Sequence, residues 1–356
     1  MAQQIKELTT KELADWIQQP EGILLDIRPL AAYNGWPLKD EPRGGHIKGA
    51  TAIPFKWAQY IDFKDIMDEK GITPDKTLVI YGYERENTEW LASKLKGSGF
   101  ENVSVYHRFL EEWSPDQNLP MDRLERYQQL VYPEWVHGLI NGEKPMEFEG
   151  NDYVVCHSHY GYEQDYHDGH IPGAIPLNTN DLESTETWNR RSPEELEQTL
   201  LKNGISHDTT VVVYGRFSHP DNRDPYPGQA AGHLGAIRCA AILMYAGVKD
   251  VKILNGGLST WYEDGFETTT RETQPTPKAS FGADIPGRPE IFVDTPKAKE
   301  LLKSDEGELV SIRSWEEFIG NVSGYNYIEK MGRIPGAIFG NCGSDAYHME
   351  NYRNFD

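Results

Sequence analysis

The chain has 356 residues, 38% of them hydrophobic and 11% aromatic, and a formal net charge of −21 at pH 7. That length suits two to three domains, and the aromatic content supplies buried cores that a disordered chain lacks. The negative balance excludes nucleic acid and an anionic membrane as main partners, because their phosphates would be repelled.

In chain order, a first helix is expected where Thr9 or Thr10 can cap, with Glu12 near the third position and Leu13, Trp16 and Ile17 as its apolar face. The run Ile23-Leu24-Leu25-Asp26-Ile27-Arg28 reads as a strand. A helical piece over 64–70 follows, then Thr77-Leu78-Val79-Ile80-Tyr81, a continuous apolar strand suited to burial on both faces of a parallel sheet. A helix over 88–95 ends near Gly97 and Gly99, Val103-Ser104-Val105-Tyr106 is a further strand, and 109–113 closes the unit.

The same order then recurs. Residues 132–141 read as helix, Val154 to Cys156 as strand, and 192–203 as a helix with Ser192 as cap and Pro193 in its first turn. Thr210-Val211-Val212-Val213-Tyr214 is the second central strand, 232–245 an apolar helix, 251–254 a strand and 258–264 a terminal helix. Strands alternating with helices predict α/β units with mostly parallel sheets. Pro275, Pro277, Pro286 and Pro289 mark 274–289 as a linker, after which a helix over 295–303 and a strand ending at Arg313 begin a third unit.

Each unit carries one short motif after its first long strand: Gly45-His46-Ile47-Lys48-Gly49-Ala50, Gly169-His170-Ile171-Pro172-Gly173-Ala174 and Gly332-Arg333-Ile334-Pro335-Gly336-Ala337. Copies more than a hundred residues apart are duplicated domains, not solenoid repeats. The central strand ends 34 residues after the motif isoleucine in the first copy (Ile47 to Tyr81) and 43 in the second (Ile171 to Tyr214). Counted from Ile334, the third would end near positions 368–377, past Asp356. A sheet without its central strand leaves backbone groups unpaired, so either the evolved protein is longer or another segment completes the sheet.

Taken together, Asp26-Ile27-Arg28, the G-H-I-P-G-A turn, Tyr81-Gly82, Tyr214-Gly215 and Asn255-Gly256-Gly257-Leu258-Ser259-Thr260-Trp261 resemble the rhodanese family of sulfurtransferases. The last string is similar to the family's closing D-G-G-W-x-x-W. The three-unit layout, with Ser311-Ile312-Arg313-Ser314-Trp315 and Ser323-Gly324-Tyr325, is most similar to bacterial three-domain thiosulfate sulfurtransferases. The resemblance implies an α/β fold of tandem rhodanese-like domains, each a mostly parallel sheet with helices on both faces. Domain 1 spans 1–122, domain 2 spans 123–273, the linker 274–289, and 290–356 is the N-terminal part of domain 3.

The family's chemistry rests on one cysteine in a loop after the central strand, where inward-facing backbone N–H groups stabilise a thiolate. That thiolate takes sulfur from thiosulfate or 3-mercaptopyruvate as a persulfide and passes it to cyanide or a thiol. Here the corresponding positions are Gly82 and Gly215, so domains 1 and 2 are expected to be inactive and the nucleophile to belong to domain 3, beyond Asp356. Cys342, in Gly340-Asn341-Cys342-Gly343, is the remaining candidate within the chain. Arg313 matches the family arginine that contacts the substrate anion, a task suited to a guanidinium; the alternative is an ion pair with Glu316 or Glu317. Arg28, opposite Gly82, is expected to be structural.

Cys156, near the position of the usual Asp, and Cys239, on an apolar helix, read as small core residues. With no CxxC pair among Cys156, Cys239 and Cys342, neither a disulfide framework nor a metal site is expected. His46 and His170 are expected to bond locally, the group His157, His159, His167 and His170 lacks the spacing of a metal site, and 219–228 reads as a surface insertion. The expected partners are a small sulfur-donor anion and a thiol, redox or sulfur-carrier protein, with no cofactor, nucleic acid or membrane. No run reaches the ~20 apolar residues of a membrane span, and residues 1–6 show no apolar leader core, which leaves cytoplasm or periplasm. The competing reading is a non-catalytic docking module of tandem rhodanese domains.

Overall fold

The computed structural model describes residues 5–18, 22–216, 231–305, 307–324 and 328–340, and for 231–234 the backbone alone. The chain divides into two compact units, 1–128 and 129–355. Among the described residues, no helix is long and apolar enough to cross a membrane.

In the first unit the elements run β1 (Lys6–Glu7), α1 (Thr10–Trp16), β2 (Gly22–Asp26), α2 (Leu30–Asn34), β3 (His46–Ile47), β4 (Thr51–Ala52), α3 (Phe63–Glu69), β5 (Thr77–Tyr81), α4 (Arg85–Gly97), β6 (Val103–Tyr106) and β7 (Met121–Asp122). Thr9 caps α1 in a full capping box with Glu12. The sheet has the order β1-β6-β5-β2-β4 with every neighbour parallel. Its central strand β5 is apolar along its length because helices cover both faces.

The second unit runs β8 (Leu130–Val131), α5 (Pro133–Ile140), β9 (Tyr153–His159), α6 (Gln164–His167), β10 (Ile175–Asn178), α7 (Thr179–Leu182), α8 (Pro193–Lys202), β11 (Thr210–Tyr214), α9 (Ala231–Ala246), β12 (Asp250–Leu254) and α10 (Gly257–Glu263). Ser192 and Glu195 form the capping box of α8, with Pro193 in its first turn. The sheet order β8-β12-β11-β9-β10, again all parallel, repeats the first sheet strand for strand.

The repeated motif has the same conformation in all three copies. The alanine N–H donates to the isoleucine carbonyl at 2.9 Å in Ala50–Ile47 and 3.0 Å in both Ala174–Ile171 and Ala337–Ile334. The third turn residue, Gly49, Gly173 or Gly336, has φ of +80°, +83° or +89°, the left-handed region that a side chain would strain. In the two complete units the central-strand tyrosine locks this turn to the sheet: Tyr81 Oη accepts from Ile47 N–H at 3.0 Å and Tyr214 Oη from Ile171 N–H at 2.9 Å. The motif histidines bond locally. His46 stacks on Tyr33 at 3.8 Å and His170 on Tyr166 at 3.7 Å, each with Nδ1 at 2.8 Å from that tyrosine's carbonyl oxygen.

Residues 274–289, expected to be a linker, are held along the second unit. Phe281 is buried in its core, Lys278 N–H donates to Leu201 O, His207 N–H to Phe281 O and Arg288 N–H to Tyr245 O. Apolar side chains between the prolines, not a flexible spacer, account for this course. The chain continues through α11 (Thr295–Leu301), β13 (Val310–Ser311), α12 (Trp315–Ile319) and β14 (Ile338–Phe339).

β13 and β14 pair as β2 and β4 do: Val310 with Ile338 and Ser311 with Phe339, against Leu25 with Thr51 and Asp26 with Ala52. Arg333 takes the motif histidine's place, its guanidinium 4.4 Å over Phe318. Yet Ile334 is 58% exposed where Ile47 is fully buried. Among the described residues β13 pairs with β14 alone, so nothing equivalent to β5 covers it.

Removing the locking hydroxyl leaves a buried N–H unsatisfied, a cost of about 1–3 kcal/mol. Tyr214→Phe is expected to lower stability to urea by about 1–2 kcal/mol, and Tyr81→Phe by about 3 kcal/mol, because the Tyr81 hydroxyl also donates to the buried Asp26 carboxylate at 2.6 Å.

Candidate functional site

In an open parallel sheet, ligands bind at the carboxyl ends of the strands where the strand order reverses. That point lies between β2 and β5 in the first unit and between β9 and β11 in the second. The two crevices have the same backbone and different contents.

In the first crevice, Asp26 ends β2, Arg28 follows it, and Gly82 follows β5. The Arg28 guanidinium is fully enclosed. It donates to Asp26 (Nη2 at 2.6 Å, Nε at 3.0 Å), to Glu41 Oε1 at 3.0 Å and to Gly45 O at 2.7 Å, and it lies 4.0 Å over the Phe109 ring. Burial opposes its charge, but Asp26, Tyr81 and Glu41 outweigh burial and hold it cationic. Burial pushes Glu41 up to about 7, since Arg28 already shares its charge with Asp26 and offers Glu41 too little compensation. Tyr83, whose hydroxyl donates to Glu41, is also driven upward by burial.

Gly82 has no room for a side chain. A Cβ there would meet Ile27 Cγ1 at 2.6 Å. α4 begins three residues on, at Arg85, so the connecting loop is short. This crevice is filled by its own side chains.

In the second crevice, strand pairing sets His157 beside Tyr214 just as Asp26 sits beside Tyr81. The residue at the usual Asp position is therefore His157, not Cys156, and His157-Ser158-His159 stands in place of Asp26-Ile27-Arg28. Gly215 O accepts from Leu258 N–H at 2.9 Å. Arg216 is buried and donates to Asp165. Burial disfavours the charged form of both imidazoles, lowering His159 to about 4 and holding His157 well below the ordinary histidine value. The segment 219–228 lies outside the described residues.

Cys156 and Cys239 are fully buried in the second unit's apolar core; burial raises both thiols, Cys239 to about 12. Arg313 donates to Gly332 O at 2.8 Å, as Arg28 does to Gly45 O, and pairs with Glu317 at 3.3 Å. Cys342 and Tyr325 lie outside the described residues. Glu41 had no sequence signal, being one carboxylate in an irregular stretch. The His157-Ser158-His159 equivalence became visible through strand register alone.

Comparison with known proteins places these observations in a family. The family model for the rhodanese-like domain matches residues 9–116 and 162–264. The thiosulfate sulfurtransferase YnjE of Escherichia coli K12 is 37% identical over 98% of this chain and 77% of its own length. The sulfur carrier protein TtuD of Thermus thermophilus is 28% identical over 58% of this chain and 67% of its own length. A variant of EanB in complex with ergothioneine superposes with a TM-score of 0.92 and 51% identity, over 99% of this chain and 83% of that one. The anaerobic ergothioneine biosynthesis enzyme from Chlorobium limicola, in complex with its natural substrate trimethyl histidine, matches equally well. The chain belongs to the rhodanese family, as a tandem-rhodanese sulfurtransferase.

A carboxyl whose folded pKa is raised favours the protonated fold, so the stability it contributes falls as pH climbs from about 4.5 toward about 7. The urea stability of the wild type is expected to drop by about 2 kcal/mol between pH 5 and pH 8 from Glu41 alone, and Glu41→Gln to flatten that drop; parallel curves would refute the assignment. Gly82→Cys is expected to cost about 2 kcal/mol through the clash with Ile27 and to add no thiocyanate formation to that of the parent protein, while Ile27→Ala in the same background restores part of the stability.

Proposed function

We propose that this protein transfers sulfane sulfur through a cysteine persulfide formed in the third unit, with the first two units as thiol-free supports. One observation carries this reading: neither complete crevice holds a thiol, and at Gly82 the space for one is occupied by Ile27. Cys156 and Cys239 are too buried and too weakly acidic to supply a thiolate at neutral pH. The repeated β-pair, turn and arginine of 309–340 support a third unit of the same kind. Its nucleophile is the cysteine of the loop after its central strand, beyond Asp356, with Cys342 as the second candidate. Arg313, at the position of Arg28, orients the anionic donor by paired hydrogen bonds.

The thiolate attacks the outer sulfur of a donor such as thiosulfate. The sulfur–sulfur bond of the donor breaks, sulfite leaves with the electron pair, and a persulfide remains. A nucleophilic acceptor then takes the outer sulfur and the cysteine thiolate leaves. The 51% identity to EanB, against 37% to YnjE, supports an imidazole acceptor of the trimethyl histidine class over cyanide. There a ring C–H gives up its proton, a carbon–sulfur bond forms, and the persulfide returns to thiol with no net oxidation.

The test uses protein expressed from its complete reading frame, supplied with thiosulfate or 3-mercaptopyruvate and with either trimethyl histidine or cyanide. A thione product by mass spectrometry, lost when the third-unit loop cysteine becomes serine and kept within about twofold in Cys156→Ser and Cys239→Ser, is the expected result. Thiocyanate without thione would replace the acceptor with cyanide. No turnover, with capture of a carrier protein that survives loss of every cysteine, would make the protein a docking module instead.

A further inference from the structure

Residues 35–44, between α2 and β3, form a loop whose ends touch: a Cβ on Gly44 would meet Gly35 O at 1.8 Å. Both ends are anchored. Trp36 is buried edge-on to Tyr127, and Arg43 donates to the carbonyls of Trp113, Ser114, Asp116 and Leu119. The tip, 38–41, is a tight turn in which Glu41 N–H donates to Leu38 O at 3.2 Å. Its central residues, Lys39 and Asp40, have φ of +56° and +58°. Turns with two such residues favour glycine, asparagine and aspartate, so a lysine there is strained. Lys39 and Asp40 are exposed, whereas Glu41 is buried. The Lys39–Glu84 pair is exposed too and holds the tip weakly. The Glu41 carboxyl therefore fastens the tip to the crevice.

That carboxyl is only half satisfied. Oε1 accepts from Arg28 Nη1 at 3.0 Å and from the Tyr83 hydroxyl, but Oε2 is buried with no hydrogen-bond partner. The groups facing Glu41 are Asp26 and Arg28 from the end of β2 and Tyr83 from the loop after β5. With Glu41 ionised, two enclosed carboxylates share one guanidinium. An unpartnered oxygen costs more on a carboxylate than on a neutral carboxyl. Burial accordingly favours the protonated form, which is why Glu41 is raised to about 7. The closed crevice suits the neutral carboxyl, and water suits the carboxylate.

We propose that the 38–41 turn is a pH-sensitive latch on the first crevice: protonated Glu41 holds it shut over Arg28, and ionised Glu41 lets the strained turn lift into solvent while Trp36 and Arg43 stay in place. Opening runs with rising pH, because the closed form binds the proton more tightly than the open one. The turn's strain, relieved on opening, works in the same direction. The latch governs solvent access to Arg28 and Tyr83 at the switch point of the sheet, and it involves no thiol.

The test is native-state hydrogen exchange of the whole chain, read by NMR. The Glu41 amide is the probe, and the Val79 amide, in the middle of β5, reports global unfolding. The Glu41 amide is expected to exchange by a local route, at a rate indifferent to urea below about 1 M, while Val79 exchange accelerates with urea. Corrected for the intrinsic pH dependence of exchange, protection at Glu41 is expected to fall about tenfold between pH 6 and pH 8.5. In Glu41→Gln the amide at position 41 is expected to keep its local route and lose that fall. Exchange of Glu41 only together with Val79, or an unchanged pH response in Glu41→Gln, would overturn the latch. If that variant fails to fold, the wild-type Glu41 carboxyl carbon decides: titration over the same pH range as the loss of protection supports the latch, and titration near 4.5 refutes it.

Discussion

A single hydrogen bond ties each complete unit together: the central-strand tyrosine hydroxyl accepts from the motif isoleucine N–H, at 3.0 Å in the first unit and 2.9 Å in the second. It joins the middle of the sheet to the turn that follows the neighbouring strand. The isoleucine can be buried beneath the turn because its backbone donor is satisfied there. The glycines at φ near +80° shape the turn so that this N–H points inward. Where no central strand is present among the described residues, at Ile334, the turn keeps its shape and its isoleucine stays exposed.

That lock leaves the strand ends free to vary, and the two crevices have diverged on it. The first has become a structural ion cluster. Arg28 shares its charge between Asp26 and Glu41, and the Gly82 position is closed by Ile27. The second exchanged the acid–arginine pair for two neutral imidazoles and moved its cation to Arg216 after β11. In the first crevice opposite charges meet and no space is left at Gly82, an arrangement that serves stability. The second keeps buried imidazole nitrogens of His157 and His159 without hydrogen-bond partners.

Much of the fold was legible because its signals are local. Thr9 with Glu12 and Ser192 with Glu195 announce helix starts, since capping involves residues three apart. The apolar runs ending at Tyr81 and Tyr214 announce central strands, since burial on both faces leaves no polar alternation. The helix read from Thr88 begins at Arg85, where the short loop after Gly82 and not a side-chain cap sets its start. The course of 274–289 was hidden because prolines and glycines look alike in a spacer and in a strap. Phe281, a single buried ring, makes the difference.

The sequence by itself determined the repeated unit, the alternation of strands and helices along it and the absence of a thiol at positions 82 and 215, because these depend on residue type and short-range pattern. Tertiary structure decided what stands opposite those glycines. Pairing of β9 with β11 puts His157, not Cys156, beside Tyr214, and folding of an irregular stretch brings Glu41 against Arg28. Both are contacts between segments whose spacing differs from one unit to the next, so no count along the chain predicts them; register across the sheet and burial in the crevice do.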